Sequence, residues 1–154
     1  MNIEDMLAPD AIIPRFEAED KKQALRDLAE KAEVLTGVAA GDIYAALLQR
    51  ERLSSTSLGR GIAIPHVKLP GVKKITCLFA RLGHPIAFES HDGEPVDLLF
   101  FLLAPQDAGA DHLKALARIS RLVRDPATLE GLRTAKDVES LRSVLTKPLT
   151  SHAA

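Results

Sequence analysis

The segment Gly59-Arg-Gly-Ile-Ala-Ile-Pro-His66 carries the residue types in this chain best suited to chemistry. It sets a histidine just after a short apolar stretch and directly behind a proline. Pro65 fixes its own φ and drives Ile64 towards an extended conformation, which limits where the His66 ring points. A neutral imidazole offers a nitrogen lone pair, and an ordinary pKa of about 6.5 leaves most of it unprotonated near neutral pH. Gly59 and Gly61 tolerate positive φ and close backbone approach, both useful beside a phosphate. Ser54, Ser55 and Thr56, just upstream, add hydroxyl donors. The same pattern also describes an ordinary solvent-facing loop, so the motif alone does not decide the chemistry. Two other readings are weak. The histidines lack a compact His-x-x-x-His pair for zinc. A Ser55, His66, Asp97 hydrolase would lack a nucleophile elbow.

The flanking sequence supplies the elements that must hold this segment. Ile12 and Ile13, between Pro9 and Pro14, suggest a short edge strand. Asp20 caps a predicted helix with Leu25, Leu28, Ala32 and Leu35 at helical spacing, and Gly37 suits its end. A second helix is expected from about Asp42, with Ile43, Ala46 and Leu47 inward, ending near Arg50-Glu51-Arg52. After the loop-like Ser54–Gly61 stretch come predicted strands at Ile62–Ile64, Lys74–Arg81, Ile86–Phe88 and Val96–Leu103. The last is continuously apolar, the pattern of a strand buried on both faces. Helices return, with Leu113, Leu116, Ile119 and Val123 placed on one face. Asp125-Pro126 opens another helix, Asp137 a last one, and the polar tail beyond Lys147 is expected to fray. Strands flanked by helices predict an α/β chain (α+β in some schemes) with its sheet covered on two sides.

Composition narrows the function. The 154 residues suit one domain over 1–154, with an ordered core at about 6–147. A formal net charge of -1 argues against general nucleic-acid binding, which needs a basic surface. The apolar run Leu98 to Ala104 falls far short of the roughly 20 residues of a membrane helix. The single Cys77 excludes an internal disulfide and fits a reducing cytoplasm. No signal-peptide pattern opens the chain, and a cytoplasmic location is expected.

The stretch Arg50-Glu-Arg-Leu-Ser-Ser-Thr-Ser-Leu-Gly-Arg-Gly-Ile-Ala-Ile-Pro-His66 resembles the signature of phosphotransferase-system IIA proteins of the fructose/mannitol and nitrogen-regulatory class. Pro95-Val-Asp-Leu-Leu-Phe100 and Asp111-His-Leu113 resemble that family too, and the likeness runs from about Met6 to Leu145. It implies a mixed sheet sandwiched between helices on both faces. It also implies a phosphohistidine formed from a small histidine-phosphorylated carrier protein, itself charged by Enzyme I from phosphoenolpyruvate. His66 matches the phosphoryl acceptor, Arg50 the active-site arginine that would clamp the phosphoryl oxygens, and His112 a supporting second histidine. Arg60 departs from a frequent Asn and Val67 from a frequent Gly; Arg60 is expected to alter the charge that a donor meets. No metal or cofactor is required on this account. The expected output is nitrogen-related regulation through target proteins. The alternatives are a sugar-transport component that passes its phosphoryl group to a IIB domain, and a binding module of the same fold that is never phosphorylated.

Overall fold

The computed structural model describes residues 2–147. The tail expected to fray lies outside the described residues. In chain order the elements are α1 (Ile3–Met6), β1 (Leu7–Phe16), α2 (Lys21–Thr36), α3 (Ala40–Leu53), β2 (Ser57–Gly59), β3 (Ile62–Ala63), β4 (His66–Leu69), β5 (Thr76–Ile86), β6 (Val96–Pro105), α4 (Ala110–Leu122), α5 (Pro126–Thr134) and α6 (Val138–Leu145).

The six strands form one mixed sheet in the order β1-β5-β6-β3-β2, with β4 also on β6. β5 and β6 are antiparallel, whereas β1 on β5, and β3 and β4 on β6, are parallel. Successive residues of a strand face opposite sides, and Leu98 to Ala104 of β6 are all buried. Both faces of the sheet are therefore covered, as the unbroken apolar run predicted. Phe79 and Phe100 pair across β5 and β6 with tilted rings 5.0 Å apart between centroids, at the centre of the core.

The helix boundaries follow local chemistry. The Asp20 carboxylate accepts from the Gln23 N–H and starts α2, and Gly37, at φ 78°, closes it. Asp125 and Asp137 cap α5 and α6 the same way.

The chain also forms α1, β2 within the stretch expected to be a loop, and β4 from His66 onward, and three of the expected elements differ in extent or facing. β1 is a ten-residue edge strand, longer than Ile12 and Ile13 suggested. Pro9 and Pro14 sit within it, tolerated because an edge strand has one unpaired side. The segments expected at Lys74–Arg81 and Ile86–Phe88 join as β5, through a register irregularity between Arg81 and Ile86. On α4 the buried set is His112, Ala115, Ile119 and Leu122, while Leu113 is 67% exposed. Both sets have helical spacing and share Ile119. Of the expected face, Ile119 and Val123 are buried and Leu116 packs partly buried against the core, so Leu113 alone departs from it, with His112 turned inward in its place.

Gly59 and Gly61 do adopt positive φ, at 86° and 82°, but neither lines the cavity at His66. Gly61 packs instead against a two-point ion pair, in which Arg133 Nε and Nη2 each donate to Asp97 at 2.9 Å. A methyl at Gly61 would stand 2.6 Å from Arg133 Nη2 and 2.7 Å from Asp97 Oδ1. Arg133 is also held by the Arg60 carbonyl, at 2.6 Å, so it has little room to withdraw. Gly61→Ala is therefore expected to destabilise the fold by about 2–4 kcal/mol, combining left-handed backbone strain with a weakened ion pair. Urea unfolding of the variant checks this, and a loss under about 0.5 kcal/mol would mean that the turn relaxes freely.

Candidate functional site

His66 opens β4 and is not in a loop beyond a strand. β3 and β4 run along the same side of β6, at Ile62↔Leu98 and Ala63↔Leu99, then at His66↔Leu102 and onward. Ile64 and Pro65 interrupt this path. The Ile64 N–H turns to the Thr56 carbonyl at 3.0 Å, while the Pro65 carbonyl accepts from Leu102 N–H at 2.9 Å. The interruption is where proline, which has no N–H to give, is tolerated. It also leaves the Ile64 carbonyl 2.8 Å from Nδ1 of His66. A carbonyl only accepts, so Nδ1 carries the proton and Nε2 keeps its lone pair.

The last turn of α3 brings Arg50 to that lone pair. Its Nε–H points at His66 Nε2 over a long 3.4 Å, and its Nη1 donates to the Ser54 carbonyl at 3.0 Å. From the first turn of α4, His112 sets its ring 5.4 Å from that of His66, tilted by 49°. His112 is only 7% exposed, and its Nε2 is buried with no hydrogen-bond partner among the described residues. Arg50, His66 and His112 thus line one open cavity of about 360 Å³, together with Ala46, Gln49, Leu53, Val67 and Lys68. All three residues singled out in the sequence meet there.

Both rings are held neutral. Burial lowers the His66 pKa below its ordinary value, and the Arg50 charge adds to the fall; the Ile64 hydrogen bond and Glu51 oppose it. Loss of hydration is the first of these causes. His112 is lowered by burial, then by His66 and Lys68. Each ring therefore binds its extra proton less readily folded than unfolded. Their contribution to stability is present above the unfolded value, about 6.5, and is lost as pH falls through the lower folded values. Urea midpoints should drop with pH in the window just below 6.5. A His66→Gln, His112→Gln double variant should show a shallower slope there; an unchanged slope would exclude these rings as its source.

Other expectations shift. The hydroxyls of Ser55 and Thr56 serve the Phe88 carbonyl, at 2.8 Å, and Glu51, at 2.5 Å. Arg60 does not add charge at the cavity. At φ 56° it sends its guanidinium to the Val123 carbonyl, 3.1 Å away at the end of α4. Glu51 escaped sequence analysis. Its side chain is only 5% exposed, and it accepts from Thr56 N–H and Oγ1 and pairs with Lys21 at 3.0 Å. It thereby steadies the Ser54–Thr56 backbone, on whose first carbonyl Arg50 rests. A glutamate on the inward side of an amphipathic helix was the available signal.

Chemically, a neutral nitrogen nucleophile, a planar guanidinium and an unpaired ring nitrogen share one solvent-open cavity. That set suits an incoming group with an electrophilic centre and several anionic oxygens.

Comparison with known proteins gives the same direction. The model of the family described as "Phosphoenolpyruvate-dependent sugar phosphotransferase system, EIIA 2" matches residues 5–147. A nitrogen regulatory protein of Bradyrhizobium diazoefficiens is 55% identical over 148 residues, covering 96% of this chain and 97% of that protein. The crystal structure of nitrogen regulatory protein IIA-Ntr from Neisseria meningitidis superposes with a TM-score of 0.89 at 34% identity, covering 94% of this chain and 99% of the other. The mannitol IIA protein of Escherichia coli shares the fold, with a TM-score of 0.75 at 23% identity over 90% of this chain and 97% of that one.

Proposed function

The chain belongs to the EIIA 2 family of the phosphoenolpyruvate-dependent sugar phosphotransferase system, and from that premise we propose that it is a single phosphoacceptor domain whose His66 takes a phosphoryl group from a small histidine-phosphorylated carrier protein. The observation that carries the reading is the His66 ring, fixed by its Nδ1–H to Ile64 with Nε2 directed at Arg50.

The step balances without a metal or a net proton transfer. The Nε2 lone pair forms a bond to phosphorus while the nitrogen–phosphorus bond of the carrier breaks, its electron pair returning to the carrier's ring. The His66 ring gains positive character, which strengthens its Nδ1–H bond to the Ile64 carbonyl. The transition state is loose, with charge on the equatorial oxygens. Arg50 Nε–H, which rests on the attacking lone pair, turns to those oxygens as they arrive. His112, whose ring lies 5.4 Å from that of His66, is the supporting residue for those oxygens.

The output proposed is nitrogen-related regulation in the cytoplasm, through target proteins that read the state of His66. The 55% identity to a nitrogen regulatory protein favours this over sugar transport. No helix among the described residues is long and apolar enough to cross a membrane. The test is incubation with phosphoenolpyruvate, Enzyme I and candidate carriers, followed by intact mass and phosphopeptide mapping. One phosphoryl group on the peptide containing His66 is expected. Rapid onward transfer to a sugar-specific IIB domain, with support of uptake, would replace the regulatory role with a transport one.

A further inference from the structure

Arg50 and His66 each lean on a backbone carbonyl, and one short segment links the two supports. Arg50 Nη1 donates to the Ser54 carbonyl at 3.0 Å, and His66 Nδ1 to the Ile64 carbonyl at 2.8 Å. Two residues on from Ser54, the Thr56 carbonyl accepts the Ile64 N–H at 3.0 Å. The Ser54–Thr56 segment therefore sets the spacing between guanidinium and ring. It belongs to no helix or strand, so side chains must hold it. Two anchors do so. Glu51 accepts from Thr56 N–H at 3.1 Å and from Thr56 Oγ1 at 2.5 Å, and Ser55 Oγ donates to the Phe88 carbonyl at 2.8 Å. Lys21, the first residue of α2, joins these anchors. Its Nζ lies 3.0 Å from Glu51, 2.9 Å from Glu89 and 4.6 Å from the centre of the Phe88 ring. The Lys21–Glu51 pair is withdrawn from water, with side chains only 12% and 5% exposed. A buried ion pair adds little stability over apolar side chains of similar volume. What it adds here is direction, since the two carboxylate oxygens take the two donors of Thr56 while the cation holds the carboxylate.

We propose that Lys21, Glu51 and Thr56 are positioning residues for phosphoryl transfer: they hold the Ser54 carbonyl where Arg50 must rest for its Nε–H to face the attacking nitrogen of His66. This rests on the proposed acceptance of a phosphoryl group by His66. Without the three side chains the Ser54 carbonyl shifts, and Nη1 follows it. The Nε contact is already long, at 3.4 Å, so a small further movement breaks it. Misplacement of a reacting group by about 1 Å costs up to roughly 100-fold in rate. The loss falls on transfer and not on carrier binding, because none of Lys21, Glu51 and Thr56 lines the cavity at His66.

Single-turnover transfer from the phosphorylated carrier tests the proposal. Thr56→Val and Lys21→Met should each slow transfer at saturating carrier roughly 10- to 100-fold, with Thr56→Ser, which restores the hydroxyl, close to wild type. The half-saturating carrier concentration should stay within about twofold. Lys21→Met breaks a buried pair and can cost stability. Thr56→Val leaves that pair intact and keeps the Glu51 charge, which opposes the fall in the His66 pKa, so it separates position from protonation. A double-mutant cycle then tells positioning from general support. With Arg50→Lys already present there is no planar fork to place, and Thr56→Val should cost at most about twofold more. The same loss in both backgrounds, or a wild-type rate in Thr56→Val, would overturn the proposal. The NMR signal of the Arg50 Nε–H needs no phosphoryl relay. It should move in Thr56→Val and stay in place in Thr56→Ser; an unmoved signal in Thr56→Val would also overturn the proposal. Failure of the wild type to accept a phosphoryl group would show in mass alone, and the Arg50 signal would still decide whether these residues place the guanidinium.

Discussion

Replacement of His66 by alanine should abolish phosphoryl acceptance and leave the protein folded. Acceptance needs a nitrogen lone pair, and the geometry singles out Nε2, because Nδ1 is bound to the Ile64 carbonyl. His112 is an unpromising substitute nucleophile: it is only 7% exposed, and its Nε2 is buried. The fold has little reason to fail. The pairing of β4 with β6 runs through backbone groups, and the ring lines an open cavity, so its removal leaves a space that water fills. The main structural loss is the hydrogen bond to Ile64, about 0.5–1.5 kcal/mol. After the phosphoenolpyruvate relay, intact mass should show one phosphoryl group on the wild type and none on His66→Ala, with similar circular dichroism for both. The wild-type linkage should be acid-labile and survive alkali, unlike a phosphoserine at Ser54 or Ser55. A folded His66→Ala protein that still acquires the group would remove the central assignment.

Why these residues were legible, and others not, follows from the range of the interactions that place them. Pro65 acts on its immediate neighbours, so a constrained ring at position 66 could be anticipated. Asp20 and Gly37 bound α2 through contacts within one turn of chain. The covered sheet followed from β6, where no polar alternation survives between Leu98 and Ala104. The meeting of Arg50, His66 and His112 was a different matter. Composition and spacing do not bring α3, β4 and α4 together; the resemblance to a family implied it, and the geometry now supplies the contact. Long-range packing decided what was misread. At the start of α4 the inward side chain is set by packing against other elements, and local spacing does not choose His112 over Leu113. Gly61 looked like a phosphate-binding glycine because its φ preference is local, whereas the Asp97–Arg133 pair pressed against it comes from β6 and α5. For Glu51 the helical pattern marks an inward glutamate but not its partners, since Lys21 and Thr56 lie on α2 and in the loop before β2.

Arg50→Lys should slow phosphoryl transfer roughly 10- to 150-fold although the charge is kept. The guanidinium works at two edges: Nη1 anchors it to the Ser54 carbonyl while Nε faces His66 Nε2. Its planar fork can keep the anchor and still present N–H groups to phosphoryl oxygens. A lysine ammonium is a single point on a flexible stem, and it must leave one partner to serve the other. Loss of one charge-assisted hydrogen bond in the transition state costs about 1.5–3 kcal/mol, and roughly 1.4 kcal/mol is a factor of ten in rate. Protonation cannot mimic this effect. Burial is the first cause of the lowered His66 pKa, and lysine retains the positive charge that adds to it, so the ring stays neutral near pH 7. Single-turnover transfer from the phosphorylated carrier, followed by rapid quench at several carrier concentrations, separates the two places where the loss could fall. A lower rate at saturating carrier places Arg50 in the transition state; weaker binding at an unchanged saturated rate places it in docking. Equal rates and equal affinity would reduce Arg50 to a cation favoured by the C-terminal end of the α3 dipole.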